Sequence, residues 1–138
     1  MAYWLFKSEP NTFSWDDLVA KGAKGEEWDG VRNHLAKKQM QAMEIGDLGF
    51  YYHSVDEKRV VGVCEVIAEA HPDSTDPTGA WHCVDIKAVA PFPEPVTLAS
   101  VKAEPALAEM MLVKNSRLSV QPVTEEEWAR VCAMGGYA

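Results

Sequence analysis

The sequence predicts one α+β domain in which short helices are inserted between the strands of a small, curled β-sheet. Three observations support this prediction. The 138 residues contain several short apolar runs, capped helical segments lie between them, and no repeat or low-complexity tract interrupts the pattern. Because short strands with small helices between them bury their apolar faces best on a curled sheet, we expect a small β-barrel.

The first third of the chain predicts one strand and two helices. The apolar run at residues 3–6 precedes a turn, as a buried strand does. Ser14 is a candidate N-cap, and Gly22 a stop, for the first helix. After a polar loop at residues 21–30, residues 33–43 predict the second helix. Its buried side is expected to carry Leu35, Met40 and Met43.

The middle of the chain predicts a hairpin and a further strand. Residues 48–53 and 60–69 are strand-like, and the polar turn between them makes the pair antiparallel. Residues 81–90 predict the next strand, and the prolines that follow should end it. Alternate positions of the strand at 60–69 predict one apolar face, made of Val60, Gly62, Cys64, Val66 and Ala68.

The last third predicts two short helices, a strand and a terminal helix. Residues 97–102 and 106–111 are the short helical pieces, and residues 117–123 are the strand. A capping box that begins at Thr124 opens a helix through Cys132. The inward-facing residues of this helix are expected to be Trp128 and Val131.

The chain is acidic, with 21 Asp and Glu against 13 Lys and Arg and a formal net charge of −8. Binding to long duplex DNA needs many Lys and Arg contacts to phosphate, so this class is disfavoured, whereas a pocket for a small nucleic-acid element is compatible. Three cysteines without a CxxC pair favour a reducing compartment. With no signal peptide and no long apolar run, we expect a soluble, cytoplasmic protein without a membrane span.

Motifs of common enzymes are absent from the sequence. It contains no GxSxG, GxGxxG, P-loop or HExxH pattern. The four histidines show no metal-ligand spacing with the cysteines. We therefore expect no catalytic residue, no cofactor and no metal ion.

Trp28 is the most informative aromatic residue, because it lies in a polar loop, GEEWDG at residues 25–30. It either pins this loop to the body of the protein or forms a wall on which a planar ligand stacks. Two short segments, residues 32–38 and 114–117, contain basic residues and no acidic residue. They are either solvated or converge on one anionic ligand. Polar residues that end the first two strands either make turns or line the mouth of a barrel.

Nine blocks of sequence, in order, resemble the EVE domain and the thymocyte nuclear protein family. They are YWLFKSEP (3–10), FSWDDL (13–18), WDGVRN (28–33), GD (46–47), FYYHS (50–54), VGV (61–63), PD (72–73), PVTL (95–98) and SRLSVQPV (116–123). The resemblance implies a single EVE domain over residues 1–138, a PUA-like fold and kinship with YTH domains, which read a methylated adenine in RNA. It also implies a non-catalytic reader of a modified base in DNA or RNA, with modified cytosine favoured.

The resemblance assigns a modified-base pocket to residues from most of the chain. These are Lys7, Ser8, Glu9, Trp28, Val31, Arg32, Asn33, Tyr52, His53, Ser54, Pro72, Asp73, Arg117, Leu118 and Ser119. The resemblance and the two basic segments together predict five phosphate contacts, which are Arg32, Lys37, Lys38, Lys114 and Arg117. Residues 34–38, HLAKK, depart from the pattern of the relatives.

The working hypothesis is that a base leaves its strand and enters this pocket. Trp28 would stack on the base, and Glu9 would accept a hydrogen bond from an exocyclic amine. Ser8, Asn33 or Ser54 would hold the remaining edge. Two other classes stay open: an enzyme on a nucleotide or nucleoside with His53 and Glu9 as an acid–base pair, and a protein-interaction module.

Overall fold

The computed structural model describes residues 2–115 and 117–137. Met1, Ser116 and Ala138 are outside this description, and Ser116 is the first residue of the last matching block. The strands are β1 (Tyr3–Ser8), β2 (Glu26–Glu27), β3 (Leu48–His53), β4 (Arg59–Pro72), β5 (His82–Thr97) and β6 (Val120–Val123). The α-helices are α1 (Trp15–Lys21), α2 (His34–Ala42), α3 (Leu98–Ala103), α4 (Met111–Lys114) and α5 (Glu125–Gly135). Single turns of 3-10 helix lie at Gly22–Lys24 and Pro105–Leu107.

The six strands form one mixed sheet in the order β2-β5-β4-β3-β1-β6. β1 pairs in parallel with β3, and the other neighbours are antiparallel. The α+β class and the hairpin of β3 and β4 are therefore confirmed. The closed barrel is wrong: in the described part of the chain β2 and β6 are the two edges and do not pair with each other.

β5 runs on to Thr97, through the three prolines that were expected to end it. The strand can continue because one edge of the proline-rich half of β5 pairs with no other strand in the described part of the chain. β2 pairs with β5 only at Ile86 and Asp85, and the proline-rich half pairs with β4, for example at Gly62 and Pro91. A proline lacks the N–H that a central strand needs, but an edge position does not require it.

β4 buries residues on both of its sides, so the prediction of one apolar face is wrong. Val60 and Val63 belong to one core cluster, whereas Val61 and Cys64 belong to the other. Pairing with β5 shifts register between Val60 and Gly62 and again between Val63 and Cys64. Each such bulge moves the following side chains to the opposite face.

Two core clusters pack against the sheet. The first contains Trp15, Trp28, Tyr51 and residues of α1 and α2. The second contains Phe50, Trp128 and residues of α3, α4 and α5. Trp128 is buried as expected, and its ring is stacked 4.1 Å from the Phe50 ring centroid.

The helix caps agree with the sequence more closely than the buried faces do. Ser14 with Asp17, and Thr124 with Glu127, form the capping boxes of α1 and α5. In α2 the prediction that Leu35 is buried is wrong, because this residue is 44% exposed and Ala36 is buried instead. β2 lies inside the expected loop, and β6 begins at Val120 rather than at residue 117. None of the helices in residues 2–115 and 117–137 combines the length and apolar character required to cross a bilayer.

Candidate functional site

A cavity of about 610 Å³ opens between the end of β1 and the segment at residues 26–32. We call it the Trp28 cavity. This volume lies within the roughly 300–1,000 Å³ of small-ligand sites. Its lining residues are Lys7, Ser8, Glu9, Thr12, Phe13, Glu26, Glu27, Trp28, Asp29, Gly30, Val31, Arg32 and Ser119.

One wall is the end of β1 and the turn that follows. Lys7 donates its backbone N–H to the Ser119 carbonyl at 2.9 Å, which brings the approach to β6 against β1. The Ser8 hydroxyl and the Tyr51 hydroxyl donate to the Phe13 carbonyl at 2.6 and 2.8 Å. These bonds hold the turn in place.

Trp28 is the aromatic residue of the opposite wall. Its backbone N–H donates to the Val84 carbonyl at 2.8 Å, which continues the pairing of β2 with β5. Its ring packs edge-on against Phe6 and Tyr51, each at 5.6 Å between centroids. The residue is 8% exposed and lines the cavity. It therefore pins the loop to the core, and it also contributes to the cavity surface.

Asp73 anchors the loop that carries the rest of this wall. Its carboxylate accepts hydrogen bonds from the Gly30 N–H at 2.8 Å and from Arg32 at 3.1 Å, and its side chain is fully buried. Burial alone raises the pKa of this carboxyl, but hydrogen bonds from Thr75, Gly30 and Arg32 outweigh it and lower the pKa to about 2. Asp73 therefore remains charged and holds Arg32 beside the cavity.

The titratable side chains of the lining are mostly acidic. Glu27 accepts from the Ser74 N–H and hydroxyl at 2.8 and 2.7 Å. Burial raises the pKa of Glu27, but these two bonds outweigh it and the net pKa is lowered. Burial raises the pKa of Asp29, and repulsion from Asp73, Glu27 and Glu26 raises it further. The ionised form of Asp29 is thus less stable than that of an ordinary aspartate.

The structure brings about half of the sequence-predicted pocket residues to this cavity. They are Lys7, Ser8, Glu9, Trp28, Val31, Arg32 and Ser119. Asp73 is not in the lining, but it is hydrogen-bonded to two lining residues, Gly30 and Arg32. That any of these residues binds a base stays a prediction.

Several other predicted pocket residues are absent from the lining and have structural roles. The Asn33 side chain caps α2 by accepting from the Ala36 N–H at 2.9 Å. Tyr52 and Leu118 are buried in the second and first core clusters, respectively. Ser54 donates its backbone N–H to the Ser8 carbonyl at 2.9 Å. The exposed Pro72 and Arg117 are likewise absent from the lining.

His53 is also outside the lining, and both of its ring nitrogens have partners. Nε2 accepts from the Trp15 backbone N–H at 2.9 Å, and Nδ1 lies 2.8 Å from a Glu57 carboxylate oxygen. Because an amide N–H can only donate, the ring proton is on Nδ1 and is directed to Glu57. This ring links α1 to the turn after β3, which gives it a structural role.

The predicted phosphate contacts are distributed over two regions. Arg32 and Lys37 flank Trp81, with the guanidinium carbon 5.7 Å and the ammonium 5.6 Å from the ring centroid. Lys37 also donates to the Ala80 carbonyl at 2.5 Å, and Lys38 is exposed. In the second region Lys114 forms an ion pair with Glu109 at 2.8 Å, and Arg117 is exposed.

Sequence reasoning missed the lining residues Thr12, Phe13, Glu26, Glu27, Asp29 and Gly30. Asp29 and Gly30 adjoin Trp28 in a matching block, so their position was a usable signal. The two glutamates offered no such signal, because β2 has only two residues and its pairing with β5 is a tertiary contact.

Glu27, His71 and Cys83 place possible metal-ligand atoms within 4.8 Å of one another. The imidazole is already engaged, with Nε2 2.8 Å from Asp85 and Nδ1 3.1 Å from the Pro72 carbonyl. Both partners are acceptors, and the Asp85 hydrogen bond raises the pKa of His71. When both ring nitrogens donate to these acceptors, the ring offers no lone pair to a metal ion.

The matching region of the EVE domain profile extends over residues 2–134. The chain belongs to the EVE domain family. It is 33% identical to human thymocyte nuclear protein 1 over 165 residues, which is 96% of this chain and 73% of the human protein.

Solved structures agree with this assignment. An NMR structure of a Rhodopseudomonas palustris protein is 64% identical, with a TM-score of 0.94 over 99% of this chain and 94% of that chain. Human THYN1 in complex with DNA containing 5-methylcytosine is 30% identical, with a TM-score of 0.90 over 100% of this chain and 99% of that chain. A Zygosaccharomyces rouxii YTH domain in complex with N6-methyladenosine RNA is 17% identical, with a TM-score of 0.60 over 99% and 88%, and shares the fold.

Proposed function

We propose that this EVE domain is a non-catalytic reader of a modified base in DNA or RNA, with modified cytosine favoured, and that the base occupies the Trp28 cavity. The observation that carries the proposal is this aromatic-walled cavity, in a chain that aligns over its full length with human THYN1 in complex with 5-methylcytosine DNA. We also propose that this domain, with its open sheet, belongs to the PUA-like superfamily.

In this proposal the base enters the cavity from a single-stranded or weakly paired site. Extrusion costs about a few kcal/mol, and less where the base is already unpaired. Contact with the Trp28 ring offsets part of this cost, since aromatic contacts to bases contribute about 1–3 kcal/mol. The Glu9 carboxylate accepts from an exocyclic amine, as acidic side chains do from N4 of cytosine.

The strand on either side of the base is held by cations near the mouth. Arg32 lines the cavity, and Lys37 lies on the same Trp81 surface. Lys38, Lys114 and Arg117 extend the proposed contacts. Such phosphate contacts position a strand without reading its sequence.

An enzyme with His53 and Glu9 as an acid–base pair is less well supported. The His53 nitrogens are occupied by Trp15 and Glu57, and the ring is 7% exposed and outside the cavity lining. A general base must reach its substrate through a free ring nitrogen.

The test compares two tryptophans of equal exposure. Trp28→Leu and Trp15→Leu each remove an indole that is 8% exposed from the same core cluster, so both should lower the free energy of unfolding by a few kcal/mol. Only Trp28 lines the cavity. We expect Trp28→Leu to weaken binding of a single-stranded oligonucleotide with one central 5-methylcytosine at least tenfold, measured by fluorescence anisotropy.

Trp15→Leu is expected to bind this oligonucleotide as the wild type does. Urea unfolding of both variants establishes that each is folded under the assay conditions. Equal affinity of the two variants would contradict the proposed role of Trp28, and an absence of wild-type binding to modified DNA and RNA alike would refute the reader function.

A further inference from the structure

The charges that line the Trp28 cavity are unbalanced. Four carboxylate residues contribute to the lining, and these are Glu9, Glu26, Glu27 and Asp29. The two cationic lining residues are Lys7 and Arg32. The Arg32 guanidinium is paired with the buried Asp73 at 3.1 Å, so part of its charge is offset.

Lys7 contributes to the lining from the face of β1 opposite to Phe6. Side chains alternate along β1, and Phe6, which contacts Trp28, lies on the face of the first core cluster. Lys7 therefore points to the other face, where its ammonium lies 5.8 Å from the centroid of the Tyr52 ring. Tyr52 belongs to the second core cluster.

Two of the four carboxylates have acceptor capacity to spare. Glu27 is engaged by Ser74, and Glu26 lies 3.9 Å from the Lys21 ammonium. Glu9 and Asp29 are both exposed, and neither carboxylate has a hydrogen-bond or ion-pair partner among the residues that the structure describes. Burial raises the pKa of Asp29, and repulsion from the neighbouring acids Asp73, Glu27 and Glu26 raises it further. A cation in the cavity would relieve that repulsion.

An aromatic ring beside carboxylates is a favourable surrounding for a cation. The ring attracts positive charge through its quadrupole, and the attraction grows as water is excluded. Opposite charges within about 4–6 Å add to it. A neutral base would gain the ring contact but no charge attraction to these carboxylates.

We propose that the Trp28 cavity selects a base with a positive ring charge, such as one methylated on a ring nitrogen, over the neutral isomer of the same base. This inference rests on the proposed reader function and narrows its ligand class. The relevant cytosine is 3-methylcytosine, whose ring is cationic at neutral pH. Its isomer 5-methylcytosine carries the methyl group on a ring carbon, lacks the added proton and is uncharged.

The experiment uses isomer pairs, so that the two bases of a pair have the same heavy atoms and nearly the same size. Single-stranded oligonucleotides carry one central 3-methylcytosine or 5-methylcytosine, and a second pair carries 1-methyladenine or N6-methyladenine. Affinities are measured at pH 7 by fluorescence anisotropy. We expect the cationic isomer of at least one pair to bind about tenfold more tightly, which corresponds to about 1.4 kcal/mol.

Variants that remove negative charges from the lining test whether the preference for a cationic base depends on the cavity. The double variant Glu9→Gln/Asp29→Asn should reduce the tenfold preference to about threefold or less. A control, Glu94→Gln/Glu126→Gln, removes the same net charge from exposed residues outside the lining and should retain the preference. Equal loss in both double variants would show a general effect of the acidic protein and would overturn the inference.

Failure of the inference is distinguishable from failure of the reader function. If the neutral isomers bind as tightly as the cationic ones or more tightly, the preference for a cation is wrong and the reader function stands. If no modified oligonucleotide binds better than its unmodified counterpart, both are wrong.

Discussion

Single buried polar side chains decide the shape of the cavity wall. Asp73 accepts from Gly30, Arg32 and Thr75, so one carboxylate organises two loops. A buried charge is tolerated only when hydrogen bonds replace its hydration, and these bonds do so here. The same bonds stabilise the ionised form, which makes this contact dependent on pH.

Replacing Asp73 with Asn should destabilise the protein at pH 7 by roughly 1–3 kcal/mol, because charge-assisted bonds are lost in a buried position. The pKa of Asp73 is about 2 when folded, against about 3.9 in an unfolded chain. A lowered pKa contributes stability above the unfolded value, and the contribution disappears as the pH falls from about 4 toward 2.

Urea unfolding across this range measures the difference between wild type and Asp73→Asn. We expect the difference to narrow steadily below pH 4. Asp56→Asn, an exposed turn residue, serves as the control and should remain within about 0.5 kcal/mol of the wild type. A difference that is constant from pH 7 to pH 2 would show that the Asp73 charge contributes nothing.

Among the elements, the two-residue strand β2 positions the aromatic wall. It pairs with Ile86 and Asp85 of β5, and Trp28 follows it directly. The chain reaches β2 through Gly25, which has a φ of +69° and lies against the β5 backbone. A side chain at this position would overlap the Ile86 carbonyl and approach Ile67 Cδ1 to 2.7 Å.

Substitutions at two glycines distinguish the effect of backbone strain from the effect of this close contact. Gly22 and Gly25 both have a positive φ, but a Cβ at Gly22 meets no atom within 4 Å. Gly22→Ala should cost about 1–3 kcal/mol from the positive-φ backbone alone. Gly25→Ala should cost more in urea unfolding and should also weaken oligonucleotide binding, because it displaces β2 and Trp28. Similar effects of the two substitutions would contradict the role of this contact.

At the scale of the whole molecule, an acidic chain presents a local cationic surface beside the cavity. Arg32 and Lys37 lie over Trp81, and the His34 ring stacks on the same indole at 4.8 Å. The net charge of −8 opposes extended contact with nucleic acid. Binding should therefore depend on few phosphates and fall with salt accordingly.

The variant Lys37→Ala/Lys38→Ala tests this surface. If both lysines contact phosphates of a single strand, the slope of log affinity against log salt should decrease by about 1.4, or about 0.7 for each contact. Modified and unmodified oligonucleotides should be weakened alike, because phosphate contacts carry no base information. Lys102→Ala on α3 is the control and should leave the slope unchanged. An unchanged slope in the double variant would exclude these lysines from the interface.

The fold could be predicted from the sequence where the signal is local. Ser14 and Thr124 are helix caps in the structure because a capping box involves only four consecutive residues. The strand at residues 48–53 has the predicted bounds, since turn residues surround its apolar run. The continuation of β5 through its prolines was not predictable, because it depends on which edge of the strand is unpaired.

For the cavity, the sequence by itself determined the family, the end of β1 and the aromatic loop, because these occur as contiguous blocks. Only the tertiary structure decided which residues meet there. Tyr51 and Phe6 contact Trp28, whereas Tyr52, the next residue of β3, belongs to the second core cluster on the other face of the sheet. The open sheet and the acidic lining have the same cause, since both follow from strand pairings between residues that are far apart in the chain.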